Sequence, residues 1–135
     1  MEHTQQFHEL SFYTLAHPSE AFIHQYIVDA QTAQMADETT KAISIVYALA
    51  GLYLCVELNF TGREVQLFHI KMSKSKTDLH NIILPKKRGE ITVSHVLEKK
   101  AGTQRDGMIR EWCVSVWESY GESKEIIVDY VNKYN

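Results

Sequence analysis

The chain has 135 residues, 44% hydrophobic and 23% charged, with only 6 Gly and 2 Pro. That is enough apolar material for one core and one domain over residues 1–135, and too little punctuation for a many-stranded sandwich or barrel. The same counts exclude collagen-like, low-complexity and disulfide-scaffold classes, and a net charge of −3 with a pI near 6.1 argues against a dedicated nucleic-acid binder.

In chain order, apolar residues recur with helical spacing. A first helix is predicted from about Thr4 to Ala16, with Phe7, Leu10 and Thr14 on one side. Pro18 and Ser19 interrupt it. Ser19 as an N-cap, with Glu20 in the first turn, opens a second helix whose apolar face is Phe22, Ile23, Tyr26, Ile27, Ala30 and Ala33. The third, about Thr40 to Asn59, is apolar nearly all round, as a central helix touched on several sides should be. β-Branched Ile43, Ile45 and Val46 make a buried strand the competitor there, but length favours the helix. Phe60, Thr61 and Gly62 mark a break, and a fourth helix, about Arg63 to Lys74, carries Val65, Phe68 and Met72 on one line.

Between Ser75 and Ala101 periodicity fails. Leu84-Pro85 and Arg88-Gly89 read as loop, Ile91 to Val93 as a short extended piece, and Ser94 as the cap of a brief helix with Val96 and Leu97. The clearest stripe follows: Ile109, Trp112, Cys113, Val116, Trp117 and Tyr120, on a helix from Thr103 to Tyr120 opened by a Thr103/Asp106 capping box and stopped by Gly121. Ile126, Ile127, Tyr130, Val131 and Tyr134 form the last stripe, and the final two helices are expected to pair as an antiparallel hairpin. The predicted fold is all-α: a compact bundle of about six helices with an irregular basic connection before the last two.

That connection concentrates charge. From Lys71 to Lys100 there are eight basic residues against three acidic ones, in a chain that is acidic overall. It reads as a solvated lysine-rich link, with phosphate or RNA contact as the functional alternative. Cys55 and Cys113 sit among apolar residues with no Cys-x-x-Cys or zinc spacing, which points to free thiols in a reducing, cytoplasmic setting. Met1 to Glu9 has no secretory pattern, and the most apolar run, Ala42 to Val56, is shorter than the roughly 18–20 residues of a membrane span.

Several motifs bear on chemistry. Lys71-Met72-Ser73-Lys74-Ser75 matches the ATP-contacting loop signature of class I aminoacyl-tRNA synthetases, but the companion His-Ile-Gly-His motif and the alternating strand–helix pattern of a Rossmann domain are missing. The match is expected to be a lysine- and serine-rich helix end, with Lys71 and Lys74 kept as candidate anion contacts. No two of the seven histidines lie one helical turn apart. His24 and Asp29 lie about 140° apart round one helix, so they could share a ligand only with help from another element. Gln34 falls on the apolar face and should hydrogen-bond a neighbouring helix. Trp112 and Trp117 are expected in the core. No nucleophile elbow, phosphate loop or dinucleotide fingerprint occurs, so no reaction, cofactor or metal is read from the sequence.

Three blocks in order carry a resemblance: His24, Asp29, Ala30 and Gln34; then Leu84-Pro85, Gly89 and Thr92-Val93; then Trp112 with Ser115-Val116-Trp117. Over about Leu10 to Val131 the chain resembles a set of uncharacterised microbial proteins grouped only as a domain of unknown function. It departs from their pattern at Gln25, Gln31 and Met35-Ala36. The resemblance also implies a cysteine-bearing N-terminal extension in many relatives, without which this chain starts, so a metal site built on that extension is not expected here.

The leading expectation is a small soluble helical binding or interaction module for an unknown protein or small-molecule ligand. It would form a homodimer through surplus apolar surface drawn from Phe12, Tyr13, Tyr47 and Tyr53. An alternative resembles the metal-dependent DinB-like helical enzymes, with His24 and Asp29 joined by His69 or His95. Candidate binding residues are His24, Asp29, Gln34, Lys71 and Lys74.

Overall fold

The most apolar helix organises the molecule. In the computed structural model, which describes residues 2–16, 21–75 and 82–134, α3 (Ala42–Val56) has ten of its fifteen residues buried. No single face could bury that many. Accordingly α2 (His24–Met35), α4 (Gly62–Ser73), α6 (Thr103–Ser119) and α7 (Lys124–Asn132) all pack on it. α2, α3 and α6 form the central trio, while α1 (His3–Ala16) and the short α5 (Val93–Glu98) pack on one another beside it.

The fold is all-α, with seven α-helices and no strand among the described residues. The α6 stripe is buried as its spacing requires: Ile109, Trp112, Cys113, Val116 and Trp117 are all in the core. At α4, Thr61 accepts from the Glu64 amide and the Glu64 side chain accepts from the Thr61 amide, a complete capping box. α3 ends where Asn59 takes a left-handed backbone and the Phe60 N–H turns back onto the Leu54 carbonyl.

Four local expectations are corrected. α5 starts two residues earlier than a Ser94 cap allows, because His95 Nδ1 accepts from the Thr92 N–H in the place usually held by Glu. Thr103 is already helical, and Asp106 serves Tyr13 across the molecule rather than a cap: Tyr13 Oη donates to Asp106 Oδ1 at 2.7 Å. The last two helices form no hairpin, because a 3₁₀ turn at Gly121–Ser123 redirects the chain and lays α7 on α3. Tyr53 is not surplus surface; it is buried against Trp117, with ring centroids 5.8 Å apart. The predicted cap at Ser19 lies outside the described residues.

Residues 82–92 are irregular yet anchored. Ile82, Leu84 and Ile91 pack on the core. Gly89 has φ +89°, and a Cβ there would lie 2.3 Å from Ser115 Oγ on α6. Both the backbone sign and the close approach therefore require glycine at this point.

Candidate functional site

Two polar assemblies stand out, one open to solvent and one sealed. The open one begins with Gln34 at the end of α2. Its Nε2 donates to the carbonyls of Arg88 at 3.1 Å and Ile91 at 2.7 Å, and its Oε1 accepts from Trp112 Nε1 at 3.0 Å. One amide on an apolar face thus ties α2 to the loop and to α6, as a buried amide must if its desolvation is to be offset. Arg88 returns the contact. Its guanidinium donates to the carbonyls of Gln34 at 3.2 Å and of Ala36, and to Pro85 at 3.0 Å, so it closes the carbonyl-rich end of α2.

Beside this clamp lies a basin of about 300 Å³ lined by His3, Gln34, Lys86, Arg88, Gly89 and Thr92. Among the described residues neither Lys86 nor Arg88 has a carboxylate partner, and the ion pair that the described residues do form, Lys124–Glu118 at 2.5 Å, lies outside the basin lining. Gln31 on α2 donates to His3 Nε2 at 2.7 Å and leaves its own buried Oε1 unpartnered. The basin therefore presents two unneutralised cations, a hydroxyl and an imidazole on a fixed floor. That combination suits an oxyanion.

The sealed assembly centres on Asp29, only 4% exposed in the middle of α2. Gln25 Nε2 donates to its Oδ1 at 3.1 Å, while its Oδ2 has no partner. The carboxyl fits because α3 has a glycine opposite: a Cβ on Gly51 would lie 1.9 Å from Asp29 Oδ2. Burial pushes the Asp29 carboxyl well above the ordinary range, the Gln25 bond only partly opposing this, so the neutral acid is the form the interior favours.

The other predicted residues are dispersed. His24 Nδ1 lies 2.9 Å from the Thr14 hydroxyl, and burial lowers its pKa. His69 Nε2 contacts the Tyr47 carbonyl at 2.8 Å, with its ring against Tyr47, and His95 caps α5. The structure does not bring His24, Asp29, His69 and His95 together. Among the described residues no three His, Cys, Asp or Glu side chains are placed to share a metal ion. The Lys71–Ser75 motif is the end of α4, with Met72 in the core, Lys71 6.0 Å from the Phe68 ring centroid and Lys74 exposed at the cap. Neither lysine lines the basin.

A match to a family of unknown function, DUF5946, covers residues 4–121. The chain belongs to that family. No curated protein and no solved structure matches it. No helix among the described residues is long and apolar enough to cross a membrane. Membership in DUF5946 assigns no activity, so function has to be argued from the two assemblies themselves.

The sequence pointed to Gln34 through its polarity on an apolar face. It gave no comparable sign of Lys86, or of Arg88, two of whose carbonyl partners lie more than fifty positions away. The available signal was the cluster Lys86-Lys87-Arg88 set between the apolar residues Leu84 and Ile91.

Proposed function

We propose that this chain is a single-domain helical binding module that takes a compact oxyanion, such as the phosphate group of a small metabolite, in the basin between α2 and residues 82–92. The observation that carries the reading is the pair Lys86 and Arg88, uncompensated by any described carboxylate, on a loop held rigid by Gln34, Trp112 and the close approach of Gly89 to Ser115. A preorganised cationic floor loses little entropy on binding, and the basin's size fits one small ligand rather than a duplex groove. The two unpaired thiols, Cys55 and Cys113, support a reducing, cytoplasmic setting for such a ligand.

Titration calorimetry with inorganic pyrophosphate at low salt tests the reading. Saturable binding with one site is expected, weakening as salt rises, and Lys86→Glu should reduce affinity about tenfold or more. Undetectable binding, or binding unaffected by Lys86→Glu, would contradict it.

A second reading concerns self-association. Phe12 is 75% exposed and Leu15 54% exposed, one turn apart on α1, and they could form the centre of a homodimer contact. Sedimentation equilibrium of the wild type and Phe12→Ser checks this: a dimer abolished by the substitution supports it, and a monomer at high concentration removes it.

A further inference from the structure

The sealed assembly continues from Asp29 to two thiols that the proposed anion site does not use. Cys55, near the end of α3, and Cys113, in the middle of α6, are both fully buried on helices that pack against one another. Arg110, one turn before Cys113, reaches over the end of α3. Its guanidinium donates to the Cys55 carbonyl at 3.3 Å and the Val56 carbonyl at 3.4 Å, and lies 3.8 Å from Cys55 Sγ. Cys113 Sγ contacts the Tyr26 carbonyl at 3.6 Å, and Tyr26 Oη donates to the Phe60 carbonyl at 2.5 Å. One sulfur thus sits beside an exposed cation that leads to solvent, and the other lies behind it in the core.

We infer that Cys55 and Cys113 form a dithiol oxidised by hydrogen peroxide to an intramolecular disulfide joining α3 to α6, with Cys55 as the attacking sulfur and Arg110 as its positioning residue. The electronic setting agrees with this order. The neighbouring Cys113 thiol and the Arg110 charge hold the Cys55 thiol below its ordinary range, while the Cys55 thiol and complete burial push Cys113 up. The Cys55 thiolate attacks one peroxide oxygen, breaking the O–O bond. The departing hydroxide takes up the proton released from Cys55 and leaves as water, and Cys55 becomes a sulfenic acid. Cys113 then attacks the Cys55 sulfur. The S–S bond forms as the S–O bond breaks, and the Cys113 proton leaves with the hydroxyl as a second water. The peroxide gains two electrons and the two thiols lose two. A buried pair admits a small peroxide more readily than a bulky disulfide, and in a reducing compartment such a bond is transient.

The test uses the full chain, reduced and then exposed to a small molar excess of hydrogen peroxide, alkylated after denaturation and weighed intact. The expected product is a monomer that has lost both alkylatable thiols and the mass of two hydrogens. Cys113→Ser should stop at a dimedone-reactive sulfenic acid on Cys55. Arg110→Gln changes an exposed side chain outside the core, so it reads the proposal even if the serine variant fails to fold; it should oxidise about tenfold more slowly. Thiols that stay alkylatable under peroxide, or that gain oxygen without forming the disulfide, would overturn the inference, as would an Arg110→Gln variant that oxidises at the wild-type rate.

Discussion

Asp29 and Arg88 each carry an ionisable side chain with no opposite charge beside it, and their surroundings give that lack opposite meanings. Around Asp29 the solvent is gone, and the interior removes the charge by favouring the neutral acid. Around Arg88 water remains. The guanidinium spends three contacts on backbone carbonyls and turns the rest of its field towards a basin it shares with Lys86. A missing counter-ion in the core is therefore a matter of stability, whereas the same deficit at a rigid, wet surface is an invitation to a ligand.

Substitutions on the sealed side should give the largest effects. Gly51→Ala places a methyl group on Asp29 Oδ2, so it should cost about 3 kcal/mol, and adding Asp29→Ala should recover much of that loss. Urea unfolding of the single and double variants checks this, and strict additivity would break the steric account. Next, Trp112→Phe removes the indole donor and leaves Gln34 Oε1 without it, for a loss of about 1–3 kcal/mol. That variant should also weaken pyrophosphate binding, since the same amide holds the loop; unchanged affinity would separate the clamp from the basin.

Asp29→Asn sharpens the electrostatic half of the comparison. The folded-state pKa of Asp29 is raised, so the stability gained by burying the neutral acid is intact below about pH 4 and is lost as pH rises towards the folded value. The asparagine variant should therefore be about 1–3 kcal/mol more stable than wild type at pH 8 and indistinguishable from it near pH 4. Thermal unfolding across that range reads the sign, and a destabilised variant at pH 8 would reverse it. The smallest effect belongs to His69. Burial lowers its pKa, so its contribution is present above the unfolded value of about 6.5 and declines as pH falls below it. His69→Gln should flatten that acid-side decline, measured as the slope of the melting temperature between pH 7 and pH 5.

Much of this architecture was legible in the sequence because helix packing writes itself at short range. The stripe from Ile109 to Tyr120 and the all-round apolarity of Ala42 to Val56 specify a buried face and a central helix from spacing alone. The Gly121–Ser123 turn did not show itself, since a glycine stops a helix without saying where the next one goes. The same limit divides the site. Gln34 announced itself as a polar residue on an apolar face, whereas the same helical arithmetic set Asp29 only at the flank of that face and did not show that it is buried. Gly51, the reason Asp29 fits, is an ordinary small residue until α2 is laid on α3. Arg88 looked like one cation among eight because its distinguishing partners are main-chain oxygens, which leave no mark on side-chain sequence.

The most direct measurement is a titration of the isotopically labelled chain with inorganic pyrophosphate, followed through its backbone amide resonances. Saturable shifts confined to Met35, Gly89, Thr92 and their neighbours, and suppressed by added salt, are the expected result. Shifts spread evenly over Lys71, Lys74, Lys99 and Lys100, or no shifts at all, would contradict a built anion site and reduce the basic segment to a solvated surface.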